Sequence, residues 1–407
     1  MKKSILSILA IAALTFTSCK KDDNNDGASD KEAVISSNAD IVAGDLHGTV
    51  EGNITLTKGT DYLLTGALLV KDGYTLTIEA GTTVKVDAGR TDTYVAVEQG
   101  AKIMAVGTKA EPIVFTSNSA TPAAGDWGGI VVAGKTQTNK GDSVQSEVAG
   151  LNYGKSAAEA VSDDNSGRLS YVIAEYTGAK INGDAEFNGF SFYTVGSATK
   201  LDHLVVKYGF DDGVEFFGGT VDLDGILCVN IADDMFDFTG GYTGTITNAF
   251  GVREADFDTA SKDPRGIEGD SNESDKDATP RSTPTFNGVT IINLNPNTEL
   301  KAGAEIRRGT EATIDNIAFI AANGAQFGNL IDTDDSSGNG SVTLTNAYKK
   351  GTVGDNKEGG TITGSVEEDA NLFNEATGTV KANVGADFSE FSTWSGYTVP
   401  TVAVAAK

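Results

Sequence analysis

One stretch of this chain repeats itself without a gap. LDHLVVKYGFDDGVEFFGG begins at Leu201 and LDGILCVNIADDMFDFTGG at Leu223, an offset of 22 residues. Leu204 aligns with Ile226, Val206 with Cys228, Glu215 with Asp237, and Phe216 with Phe238. Asp211-Asp212 aligns with Asp233-Asp234, and Gly218-Gly219 with Gly240-Gly241. A looser pair joins VKDGYTLTIEAGT at Val70 to VEQGAKIMAVGT at Val97, and GVEFFGGT at Gly213 is echoed by GAEIRRGT at Gly303. A unit this short closes no core alone. It buries its apolar side chains only against copies above and below it.

Short runs of Val, Ile, Leu, Phe and Thr alternate with Gly, Asn and Asp turns, and long amphipathic helical patterns are missing. The expected fold is therefore all-β: a right-handed parallel β-helix, or solenoid, with irregular coils of 22–28 residues. Leucine-rich repeats share the period but need a spaced Leu/Asn signature that is absent. A β-propeller is the second choice, since its blades run ~40 residues or more. Roughly thirteen coils stacked ~4.8 Å apart would make a rod of ~60 Å. The rod's open ends need caps. Residues 46–60 are the expected N-terminal cap, and Ala386 to Thr398, with Phe388, Phe391 and Trp394, the C-terminal one. The folded part is read as one domain over residues 46–407.

The chain of 407 residues carries 31 Lys+Arg against 57 Asp+Glu, a formal charge of −26. That field disfavours nucleic acid or another polyanion as a partner. Cys228, in the run Ile226-Leu227-Cys228-Val229, reads as a small core residue. His47 and His203 are the two histidines and lie far apart in sequence, which argues against a Cys/His zinc site.

The N-terminus resembles a bacterial lipoprotein signal. Lys2 and Lys3 precede the 12 apolar-rich residues from Ile5 to Phe16, then Thr17, Ser18 and Cys19. That segment is about half the length needed to span a bilayer. Phe16 stands where such signals usually carry Leu. The resemblance implies removal of residues 1–18, lipidation of Cys19 and a membrane partner reached through that lipid. Lys20, Lys21, Asp22 and Asp23 resemble the tag that sends lipoproteins of the Bacteroidota to the outer face of the outer membrane. Residues 19–45 are polar and acidic and read as a flexible tether.

WGGIVVAGKTQTN at Trp127, DDGVEFFGGT at Asp211, DDMFDF at Asp233 and GIEGDSNESDKDATPRSTPTFNGVTI at Gly266 together resemble a family of surface or secreted β-helix proteins of the Bacteroidota. The resemblance spans about Leu68 to the C-terminus. It implies the fold and no particular reaction.

Gly129 to Thr136 matches GxxxxGK[ST], but Ile130-Val131-Val132-Ala133 reads as a strand and no helix pattern follows. A phosphate loop needs that helix, so no nucleotide is expected. The acids matter more. In the 22-residue register Asp211 lies over Asp233 and Asp212 over Asp234, and one added residue brings Asp256 into the first column. Carboxylates ~5 Å apart repel by about 1 kcal/mol or more. Solvent, a nearby arginine or a bound cation relieves this, and clustered hard oxygens suit Ca²⁺. The alternative is that these Asp corners only make turn hydrogen bonds.

DSNESDKD from Asp270 has the first spacings of a calcium loop but carries Asp275 and Arg281 where such loops need Gly and Glu. Tyr171, Tyr176, Phe187, Phe190, Phe192 and Tyr193 crowd one region. Tyr176, Phe187 and Tyr193 are candidate sugar-stacking residues, with burial in the rod as the alternative. No catalytic set is complete. The expected function is a non-catalytic binding or adhesion module for glycans or a surface partner. A polysaccharide lyase or glycoside hydrolase using the acid columns and a structural spacer are the alternatives.

Overall fold

A computed structural model describes residues 33–148, 150–181, 185–257 and 261–402. The expected signal, Cys19 and residues 19–32 of the expected tether lie outside them. Twenty-six strands form one parallel sheet that winds into a right-handed β-helix with three faces. On the first face, ten successive pairings link eleven strands, from Ile54–Leu56 to Thr361–Thr363. The second face follows a bend within the same long strands, such as Gly167–Glu175 and Thr245–Arg253. The third carries short strands, among them Ile130–Ala133, Phe190–Tyr193, Val214–Phe217, Phe236–Thr239 and Ile267–Gly269.

The ungapped repeat is the pairing register itself. Leu201 pairs with Leu223, Val206 with Cys228 and Phe216 with Phe238. Alternation then sends every second side chain inward. Leu169, Leu201, Leu223, Ile246, Phe286 and Ile314 stack as one buried column on the first face. Phe192, Phe216 and Phe238 stack on the third. Each such side chain contributes about 1.5–3 kcal/mol by leaving water. Gly269 ends the phenylalanine column because the Phe238 ring fills its side-chain space: a Cβ there would lie 2.1 Å from Cζ. Cys228 is buried in the core, as its apolar run implies.

Three expectations need correction. The rod has eleven first-face strands rather than thirteen, because residues 134–166 leave the coils as one long excursion over the third face. The N-terminal cap lies earlier than residues 46–60. Residues 33–45, expected as tether, form a strand (Val34–Ile35) paired with Leu46–Val50 and two 3₁₀ turns, with Ile41 and Ala43 packed on the core. Asp40 secures that turn by accepting the Ser36 and Ser37 amides at 3.0 and 2.9 Å. The C-terminal aromatics do not cover the last coil. Phe391, Trp394 and Tyr397 lie along the outside of the second face, against Ile173, Val205, Leu227 and Phe250. That face presents an apolar outward column, which the C-terminal segment covers.

Candidate functional site on the third face

Outward positions of the third face form a column of acids. Register places Ser191 beside Glu215, then Asp237, Glu268, Glu305 and Asp332. The turn entering each strand adds a second column: Asn188, Asp212, Asp234 and Arg265 occupy one position in four successive coils. Each caps the next. Asn188 Oδ1 accepts the Asp212 amide at 3.3 Å, Asp212 Oδ1 the Asp234 amide at 3.0 Å, and Asp234 Oδ1 the Arg265 amide at 2.6 Å. One oxygen of Asp212 and of Asp234 therefore does the turn-forming work that Asp corners do elsewhere.

The two halves of the acid column differ in charge balance. In the C-terminal half, Glu268 pairs with Arg265 at 3.2 Å and with Arg307, while Glu305 pairs with Arg265 and with Arg307 at 3.3 Å. Asp270 accepts from Arg307 at 2.8 Å and from Arg308 at 2.6 Å. The N-terminal half has only longer-range relief, from Arg265 and Arg253 at Asp233 and from Lys140 at Glu215. Among the described residues, Asp211, Asp212, Asp233, Glu215 and Asp237 have no ion pair within 4.0 Å. Glu215 accepts from Asn188 Nδ2 at 2.8 Å and Asp233 from the Ser261 hydroxyl at 2.7 Å, both neutral donors.

Burial first, and then the neighbouring carboxylates, push Asp211, Asp212, Glu215, Asp234 and Asp237 well above the usual carboxylate range. Asp233 is raised by burial, against the Ser261 hydrogen bond. One wall of the site is the excursion, whose hairpin pairs Val144–Gln145 with Asn152–Tyr153. Its Glu147 accepts from Tyr193 Oη at 3.2 Å and is pushed up to about 7 by burial.

The donors fit a divalent cation of the oxygen-liganded class. One oxygen each from Asp211, Asp212 and Asp233 lie within 4.8 Å of one another, and so do oxygens from Asp212, Glu215 and Asp237. Ca²⁺–oxygen bonds of about 2.3–2.6 Å span such separations. Asp212 belongs to both groups.

The sequence-derived residues divide accordingly. Asp211, Asp212 and Asp233 come together, while Asp234 turns towards Arg265 at 3.6 Å. Asp256 does not join: it sits on an exposed turn, because the chain between Arg253 and Arg265 is longer than the 22-residue offset allows, and Pro264 takes the place after Asp211 and Asp233. Phe187 and Tyr193 are buried beneath the excursion, so neither offers a face to a sugar. Tyr176 is half-buried and lies flat on Tyr208, ring centres 5.1 Å apart. Asp270 is occupied by its two arginines, and Asn272 Oδ1 closes a turn on the Ser274 and Asp275 amides. In the GxxxxGK[ST] stretch, Ile130–Ala133 is a strand and Lys135 faces Asp72 at 3.6 Å.

Sequence reasoning missed Glu215 and Asp237 as site residues, although their pairing stood in the repeat. It also missed Glu268 and Glu147, while Arg265 was among the arginines it held available to relieve the acids. Glu305 had a signal in the GAEIRRGT echo, which sits in this same column.

Residues 48–397 match the pectate-lyase-like β-helix domain. The chain belongs to that family. Neither curated proteins nor solved structures gave a match. In this pectate-lyase-like β-helix, the excursion packs on Tyr193 and brings Glu147 to the clustered acids.

Proposed function

We propose that this protein is a lipid-anchored surface β-helix that binds polysaccharide on its third face, through a divalent cation held in one of the two carboxylate groups that share Asp212: Asp211, Asp212 and Asp233, or Asp212, Glu215 and Asp237. The observation that carries the reading is the segregation of charge: the C-terminal acids are in contact with arginines, and among the described residues these five form no ion pair within 4.0 Å. A cation would relieve their repulsion and offer open coordination positions to sugar hydroxyls or carboxylates. Asp212 would hold it in either group, and the half-buried Tyr176–Tyr208 pair would flank the glycan. The anchor at Cys19 and outer-membrane placement rest on the N-terminal residues. Palmitate labelling of the protein and of Cys19→Ser tests them.

The deciding experiment is glycan-array binding with Ca²⁺ and with EDTA. Calcium-dependent retention of a polysaccharide supports the reading, and retention no higher than background in both buffers overturns it.

Glu147 favours a second reading. A carboxyl titrating at about 7 suits proton transfer at neutral pH. Appearance of unsaturated products or new reducing ends from acidic polysaccharides would replace binding by cleavage.

A further inference from the structure

The bend between the first and second faces has a constant backbone. Tyr171, His203, Gly225, Asn248, Gly288 and Asn316 share one position in successive coils. All have φ between 52° and 91°. The C-terminal segment runs back along this bend. Asn316 exchanges two hydrogen bonds with Gly385, at 3.1 and 2.9 Å, and Asn248 two with Asp387, at 3.3 and 2.5 Å. A Cβ at Gly225 would meet the Phe391 ring at 3.7 Å. Trp394 sits edge-on to Tyr171, centroids 5.0 Å apart.

His203 takes the place that Asn holds further along. Its ring stacks on Tyr171 at 4.4 Å. Nδ1 lies 3.3 Å from Asp202 Oδ2, and Nε2 lies 3.6 Å from Glu390 Oε2 in the segment. Arg168, one coil earlier, pairs with Asp202 at 3.0 Å. Asp224, one coil later, adds a further negative charge. Three carboxylates thus face the imidazole, and one of them already has a cation.

We propose that His203 is a proton-controlled latch: its imidazolium bridges Asp202 of the solenoid to Glu390 of the C-terminal segment, and loss of the proton loosens that end of the segment from the second face. The hydrogen bond to Asp202 leads, against burial, in raising the His203 proton affinity above its ordinary 6.5, with the charge of Asp202, the Glu390 hydrogen bond and Asp224 adding to it. A raised folded value means that the contribution is complete below about pH 6.5 and is lost as pH climbs through the higher folded value. With the imidazole neutral, Glu390 is left facing Asp202 and Asp224 without a cation between them. Loosening would uncover Ile173, Val205 and Leu227, which the segment now buries.

Amide hydrogen exchange of residues 386–398 in the intact protein, corrected for intrinsic rates, tests this between pH 5.5 and 8.5. Protection should fall about two- to fivefold with rising pH, the scale of a half-exposed ion pair. His203→Asn suits the left-handed bend and should remove the pH dependence, and Glu390→Gln should do the same while the solenoid's own amides stay unchanged. Protection that rises with pH, or an undiminished pH response in either variant, overturns the latch.

Discussion

Asp212 Oδ1 accepts the backbone N–H of Asp234 at 3.0 Å, across one coil of the solenoid. The same residue offers an oxygen to both groups of clustered carboxylates. Asp212 is thus a structural cap and a site residue at once, and substitutions there confound the two roles. Asp234 separates them, since it caps Arg265 and also faces that guanidinium.

Asp234→Ala removes the acceptor of the Arg265 amide and leaves a buried donor unmet. A loss of about 1–3 kcal/mol is expected. Asp234→Asn keeps the acceptor and should lose less. Thermal denaturation of the two variants side by side gives the comparison, and equal losses would contradict the capping role.

Calcium in millimolar excess over EDTA should raise the melting temperature of the protein at pH 7. At a hundred times Kd the folded state gains about 2.7 kcal/mol. The pair Glu215→Gln and Asp237→Asn should abolish most of the rise if the ion sits with them rather than with Asp211 and Asp233. Asp256→Asn should leave it intact, since Asp256 stands on an exposed turn outside both groups.

The pH dependence of stability in EDTA has a definite sign. The folded state holds protons on Asp211, Asp212, Glu215 and Asp237 more tightly than the unfolded chain does, because burial and like charge raise their proton affinity. Their contribution is complete below the unfolded values near 4 and is lost as pH rises towards the raised folded values. Melting in EDTA should therefore be higher at pH 5 than at pH 8. Calcium should narrow the gap, since it replaces the protons at the higher pH.

If the tyrosine pair flanks a glycan, Tyr176→Ala should weaken binding by about two- to tenfold, the value of an aromatic contact of 0.5–1.5 kcal/mol. Phe187→Leu should leave affinity unchanged, because the Phe187 ring is buried under the excursion. Affinity electrophoresis on the polysaccharide retained by the array separates the two outcomes.

Cutting the chain after residue 383 should expose the outward column of the second face. Phe250 and Leu227 would lose the cover of Phe391 and its neighbours. Dye binding and light scattering should both increase, with the first-face core keeping its amide protection. A truncated protein that stays monomeric and binds no dye would show that the apolar column needs no cover.

The sequence by itself determined the coil. A 22-residue offset between Leu201 and Leu223 leaves one way to stack Phe216 on Phe238, because a one-residue slip would turn every core side chain outward. It therefore also carried the pairing of Asp211-Asp212 with Asp233-Asp234. The tertiary structure decided what those acids face. Arginine partners for Glu268, Glu305 and Asp270 come from residues 265, 307 and 308, and no local pattern shows which acids they neutralise and which they leave. The excursion that buries Phe187 and Tyr193 and the docking of Trp394 on Tyr171 are likewise long-range, whereas Asp256 is displaced by a local break in the repeat. Repetition fixes neighbours one coil apart by sequence distance, whereas loops return to surfaces a hundred residues or more away, and only packing in three dimensions selects where.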